Sequence, residues 1–248
     1  IKLFLCMDFF TIIEKILGLL SVVFIFAIAR IIYIVAFRPK GIPASEFKKV
    51  VQKIAKPELS KLGFHGNGWD FTKKEGELIY AFKFVPNSQG GWIHIDLYIN
   101  TNIKQDYKGH TMEVVFKKML TPKNKIQHAW HYHKTEKQNI AILNSILELF
   151  QEEGFAFFKK FEQYPECFLQ MNNTDVDDYK KLNDTFSLNF SKAKWIEVLI
   201  LINEKYANYK NALSLISAGK VLSEEETENW QNDFLYSNEI IYKAFFGS

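Results

Sequence analysis

Hydrophobic and polar positions divide the chain into stretches of different period. From Ile16 to Phe37 the run ILGLLSVVFIFAIARIIYIVAF holds 22 residues with Arg30 as its one charge. At ~1.5 Å per residue a helix of that length spans a ~30 Å hydrocarbon core, so the pattern predicts a transmembrane helix over about 16–37. Arg30 opposes insertion by about 2.5–3.5 kcal/mol, but it stands in the second half of the run and can snorkel toward the Arg38 side. After Gly41-Ile42-Pro43, the segment SEFKKVVQKIAKPELSKLGF places Phe47, Val50, Val51, Ile54, Leu59 and Leu62 near helical spacing. This predicts an amphipathic helix with Ser45 as N-cap, a kink or split at Pro57 and a stop at Gly63.

The period then drops to two. WDFTKK, LIYAFKFV and WIHIDLYIN are separated by glycine-containing turns and read as an antiparallel meander, with TMEVVFKKM and IQHAWHYH as further strand candidates. In WIHIDLYIN, Ile93, Ile95, Leu97 and Ile99 fall on one face and Trp92, His94, Asp96 and Tyr98 on the other, as expected of a sheet buried on one side. Beyond it the helical period returns. Thr135 with Gln138 makes a capping box ahead of Ile140, Leu143, Ile146, Leu147 and Phe150, and the pattern runs to Gly154. Thr174 with Asp177 follows, then a helical stretch from Ser191 to about Ala218 closed by Gly219, then a last helix capped by Ser223 and Glu226. The C-terminal pair predicts a helical hairpin.

These elements give an α+β class: an N-terminal segment over 1–40 with its transmembrane helix, an amphipathic helix with an antiparallel sheet over 41–134, and a helical half over 135–248. The two latter parts are expected to form one domain. Since the chain opens on Ile1, Met7 is a candidate start.

Charge sharpens the picture. The net charge is +3, and residues 1–40 supply it all; residues 41–140 hold 16 Lys against 9 acids, residues 141–248 hold 10 Lys against 17 acids. The body is therefore polarised, which suits complementarity between its halves or an acidic face turned to a basic partner. Both arginines, Arg30 and Arg38, lie in the first forty residues. The body has no guanidinium fork for phosphates or guanine edges, so nucleic acid is not expected as a partner. Arg38, Lys40, Lys48, Lys49, Lys53 and Lys56 trail the apolar run and make candidate membrane-surface residues; the bias predicts a single pass, N-out and C-in, with a cytoplasmic body. The alternative is export after signal cleavage near Ala29, where Ala27-Ile28-Ala29 resembles a signal-peptidase site. Two cysteines, Cys6 and Cys167, give no disulfide framework.

The order of pieces resembles the domain-of-unknown-function 4304 family. The likeness is carried by LSKLGF, HGNGWDFTKK, LIYAFKFV with WIHIDLYIN, WHYH before a helix, and LELFQEEGFAFFKKF, over roughly residues 46–170. It implies an α+β domain of unknown activity to which the N-terminal anchor is an addition. The shared positions are glycines and aromatics, so no catalytic residue carries over.

Candidate chemistry is sparse. His128, His131 and His133 lie within six residues; on a strand His131 and His133 share a face, and two ligands alone do not make a zinc site, so no metal and no cofactor is expected. His94 and Asp96 share a strand face and form a candidate acid/base pair. Gly63, Gly66 and Gly68 match no phosphate or dinucleotide loop and read as turn residues. Cys167 reads as a core thiol, and Asp175, Asp177 and Asp178 as the acidic first turn of a helix. The aromatic load, 23 Phe, 11 Tyr and 5 Trp, makes Trp92, Tyr98, Trp130 and Tyr132 candidates for an interaction surface. The expected function is a non-enzymatic protein-binding module of adaptor or immunity-like kind, tethered to the bilayer. The alternative is a small-ligand sensor or enzyme using a sheet-face cleft with His94, Asp96, His131 and His133.

Overall fold

A computed structural model describes residues 43–88, 90–107, 110–123 and 129–225, together with Phe24, Phe26 and Ile28. The chain divides into two units, Ile1–Gly41 and Ile42–Ser248. In the first, Phe24, Phe26 and Ile28 are helical with exposed side chains. The rest of the expected transmembrane run lies outside the described residues, as do Arg38 and Lys40. Among the described residues no helix is long and apolar enough to cross a membrane.

The second unit is α+β. Helix α1 (Ala44–Val50) passes through a π-helical turn (Val51–Ala55) into α2 (Lys56–Lys61). Of the positions the spacing singles out, Phe47, Val50, Val51 and Leu59 are buried and Ile54 and Leu62 partly so, and Ala55 is buried beside them. Pro57 does not end the helix; the irregularity expected there takes the form of the π-helical turn that directly precedes α2. Pro43, not Ser45, is the N-cap. Strands β1 (His65–Gly66), β2 (Asp70–Glu75), β3 (Leu78–Pro86), β4 (Trp92–Tyr107) and β5 (His110–Leu120) form an antiparallel sheet in sequence order, and β6 (Trp130–His131) pairs with the start of β4. Gly66 is required by a close approach, since a Cβ there would lie 2.0 Å from the Asp70 carbonyl oxygen. In β4 the pairing with β5 shifts between Asn100 and Lys104, and Asn102 at φ 56° bends the strand there.

Helices line one face of this sheet. Helix α3 (Glu136–Leu149) continues through a π-helical turn (Phe150–Gly154) into α4 (Phe155–Lys159), followed by α5 (Glu166–Leu169), α6 (Asn173–Asp177), α7 (Tyr179–Phe186), α8 (Lys192–Lys205) and α9 (Tyr209–Glu225). Phe82 of β3 meets Phe150 at 4.7 Å between ring centroids, and Phe116 of β5 meets Phe161 at 4.7 Å and Phe168 at 5.2 Å. Among the described residues of the second unit the phenylalanines are thus largely core. Asn183 of α7 ties this layer: its Oδ1 accepts from Trp195 Nε1 at 2.9 Å and from the Phe190 N–H at 3.0 Å, while its Nδ2 donates to the Phe190 carbonyl at 2.8 Å.

Three expectations change. The strand IQHAWHYH shrinks to Trp130–His131, with 124–128 outside the described residues. The cap of α6 is Asn172 with Asp175, which reciprocate in a capping box, and not Thr174 with Asp177. The helical hairpin turns at Tyr206–Asn208, with Ala207 at φ 56°, and α9 runs on through Gly219. Buried Asn203 holds that turn by accepting from Asn208 at 2.7 Å and Asn211 at 3.1 Å, which outweighs a glycine stop signal worth about 1 kcal/mol. Residues 226–248, with the expected last helix, lie outside the described residues.

Candidate functional site

Strict alternation in β4 sends Ile93, Ile95, Leu97 and Ile99 into the core and leaves Trp92, His94, Asp96 and Tyr98 on the opposite, outer face. Cross-strand register then assembles rows that no single strand contains. Asp96 faces Lys83 on β3 and Met119 on β5; Tyr98 faces Ala81 and Lys117. Asp96 is only 4% exposed despite its place on this face. Its Oδ2 accepts from Lys117 Nζ at 2.8 Å and from the Tyr98 hydroxyl at 3.0 Å, whereas its Oδ1 has no hydrogen-bond partner among the described residues. Lys83 and Lys117 lie 5.2 and 5.3 Å from the Tyr98 ring centroid, one cation beside each flank of the phenol. Burial pulls the Lys117 ammonium down, but the hydrogen bonds and charges of Asp96 and Tyr98 outweigh it and hold the amine above its ordinary value. Burial, with the nearby Asp96 charge, raises the Tyr98 phenol. Val85, opposite His94, and Met119 are each 37% exposed, so apolar surface borders the polar centre.

The remaining sequence candidates separate. His94 makes an edge-on contact with Trp92 at 4.6 Å, and His131 stands opposite Trp92 in the β4–β6 register. His133 lies past the end of β6, where its backbone N–H donates to Asn139 Oδ1 at 2.7 Å and its carbonyl accepts from Asn139 Nδ2 at 2.9 Å. The Asp96 carboxylate is engaged by Lys117 and Tyr98 rather than by His94. Among the described residues no group of three or more His, Cys, Asp or Glu side chains converges as a metal site. Trp130 and Tyr132 are corrections to the expected interaction surface: both are buried, and Tyr132 stacks on Phe47 at 4.9 Å. Each sits on the inward side because β6 registers Trp130 with Ile93, a core position.

The lysines of the first helix are partly neutralised. Lys49 pairs with Glu46 at 2.8 Å, Lys53 with Glu136 at 2.6 Å, and Lys48 lies 5.9 Å from the Trp69 ring centroid; Lys56 is exposed. Across the polarised body, Lys118 pairs with Glu153 at 3.3 Å and Lys123 with Glu152, each joining the basic part to the acidic one. Sequence reasoning missed Lys83, Lys117 and Met119. The alternation of LIYAFKFV contained the facing of Lys83 and that of TMEVVFKKM the facing of Lys117 and Met119, but the pairing that brings Lys117 to Asp96 depends on register. Cys167 is half-buried among aromatics, and burial pushes its thiol up to about 11, as suits an inert core position.

No protein-family model matches the chain, and neither a curated protein nor a solved structure does.

Proposed function

We propose that the chain is a membrane-anchored, non-enzymatic binding module whose α+β body docks a protein partner on the outer face of the sheet. One observation carries this reading: Asp96, almost wholly buried, keeps one carboxylate oxygen without a donor among the described residues, at the centre of a face bordered by exposed Val85 and Met119. An unfilled buried acceptor costs about 1–3 kcal/mol, and a partner that lays an N–H there recovers that cost on binding. The rows of this face run across β2 to β5, a breadth suited to a protein surface, whereas small molecules take concave sites. The anchor is the apolar run at 16–37, N-out and C-in, with the body in the cytoplasm. The likeness of residues 46–170 to the domain-of-unknown-function 4304 family belongs to the same reading, since the positions that carry it are structural and bring no catalytic group.

The test is a pull-down of the tagged, detergent-solubilised full chain from its native cell, beside Met119→Glu and Asp96→Asn. A stoichiometric protein partner on the parent chain, lost on Met119→Glu and reduced on Asp96→Asn with unchanged circular dichroism, is the expected result. Equal recovery on all three removes the outer face as the docking surface. Ligand or catalytic loss on His94→Ala and His131→Ala with the fold intact would instead favour the sensor or enzyme alternative. Alkaline carbonate should leave the chain with the membrane; release to the supernatant overturns the anchor.

A further inference from the structure

The sheet ends differently on its two sides. At one edge stands β1, 2 residues long; at the other stands β5, 11 residues long. β6 does not cover β5, since its two residues pair with Trp92 and Ile93 of β4, past the point where the β4–β5 ladder ends at Leu120. Among the described residues no strand pairs with the far edge of β5, and no hydrogen bond reaches its backbone there. Very short strands blunt an edge, whereas a long open one is a template for another chain.

One contact fixes which residues present their backbone to that edge. The Thr101 hydroxyl on β4 donates to the Val114 carbonyl at 3.1 Å, so that carbonyl points toward β4. Backbone groups of successive residues point to opposite sides of a strand. Those of Val114, Phe116 and Lys118 are therefore aimed at β4, and those of Glu113, Val115, Lys117 and Met119 at the open edge. Burial agrees: Val114 and Phe116 are buried, whereas Glu113 and Val115 are half-buried and Lys117 and Met119 exposed.

We propose that β5 is a homodimerisation edge, at which two copies of this chain pair β5 with β5 antiparallel about a two-fold axis through Val115. A two-fold interface uses the same patch twice, so the strand must complement itself. An axis through Val115 sets Glu113 opposite Lys117 of the second copy, and does so twice. An axis through Glu113 or Lys117 would set like charges against each other, and one through Val114 or Phe116 would set one of the two charges against Val115. Opposite charges directly across an antiparallel ladder are favourable and like charges are not, so the Val115 register is selected. In it the hydrogen-bonded pairs fall at 113, 115 and 117, where the edge-facing groups are. Glu113 already holds Lys104 at 2.5 Å and Lys117 holds Asp96 at 2.8 Å. An ammonium has three donors and a carboxylate about four acceptor sites, so each serves a second partner. The backbone edge makes this interface, and no partner on the outer face is needed for it.

The test is the mass of the full chain in detergent at micromolar concentration, from light scattering corrected for the detergent. The parent should have the mass of two chains. Val115→Lys, which sets two lysines opposite each other, should have the mass of one, with unchanged circular dichroism. Val115→Cys should close an intermolecular disulfide under mild oxidation, because a hydrogen-bonded pair holds its Cα atoms about 5.5 Å apart, within disulfide reach. Thr72→Cys, exposed on β2, should cross-link no more than the parent with its own Cys6 and Cys167. A parent with the mass of one chain, a dimer indifferent to Val115→Lys, or a Val115→Cys chain that cross-links no more than Thr72→Cys overturns the proposal. A dimer held by the N-terminal segment alone would give the last two of these results.

Discussion

Gly154 closes the π-helical turn before α4, and replacing it with alanine sets two principles against each other. Glycine in a helix costs about 1 kcal/mol relative to alanine, so propensity alone makes Gly154→Ala stabilising. Packing opposes it. A Cβ at this position would lie 2.2 Å from Cδ2 and 2.7 Å from Cε2 of Phe150. That ring is fully buried, with Phe64 at 5.7 Å, Phe82 at 4.7 Å, Phe155 at 5.1 Å and Phe158 at 5.9 Å, so it cannot swing aside without displacing another ring. Overpacking of that kind costs about 1–3 kcal/mol, which exceeds the propensity gain or at least cancels it. The expected net loss is roughly 0–2 kcal/mol, seen as a lower urea midpoint at unchanged slope by far-ultraviolet circular dichroism. In a Phe150→Leu background the clash is gone, and the same substitution should become neutral or stabilising, a coupling of about 2 kcal/mol. A Gly154→Ala chain more stable than its parent, or strict additivity with Phe150→Leu, would refute the argument.

Asn183→Leu should destabilise by about 3 kcal/mol, since it removes three hydrogen bonds and strands the fully buried Trp195 indole N–H; the same urea titration measures it. Glu77 is held below the ordinary glutamate value by the Tyr206 hydroxyl first and by Lys205, so its contribution is present above the unfolded-state pKa and fades as pH falls through the lower folded one. Glu77→Gln should therefore lower stability in the neutral region and flatten the acid limb, with the two chains converging below the folded pKa. Tyr80, raised to about 12, favours the folded state below the ordinary tyrosine pKa and loses that contribution as pH climbs toward the folded value. Phenolate absorbance should show one late-titrating tyrosine fewer in Tyr80→Phe than in the native chain, where burial also raises Tyr98, Tyr164 and Tyr206.

Local periodicity was enough to place the first helix, the β2–β5 meander and the two faces of β4. The reason is that side-chain direction repeats every two residues in a strand and every 3.6 in a helix, so burial is written directly into the order of apolar positions. It also separated Ile93, Ile95, Leu97 and Ile99 from Asp96 and Tyr98. What the local pattern left open is who stands opposite whom. Lys83, Asp96 and Met119 meet only because the turns set the β3–β4–β5 register, and a one-residue slip would exchange the faces. Trp130 and Tyr132 turned inward for the same reason: two residues of β6 pair at the start of β4, a long-range choice invisible in WHYH itself. The hairpin formed at Ala207, where the alanine carries no turn signal, because the Asn203 network and the packing of Ala212, Leu215 and Ile216 outweigh what Gly219 prefers. Faces are local properties of the chain; sites that join distant strands and helices belong to the tertiary structure, because register and packing are decided by contacts that no window of sequence contains.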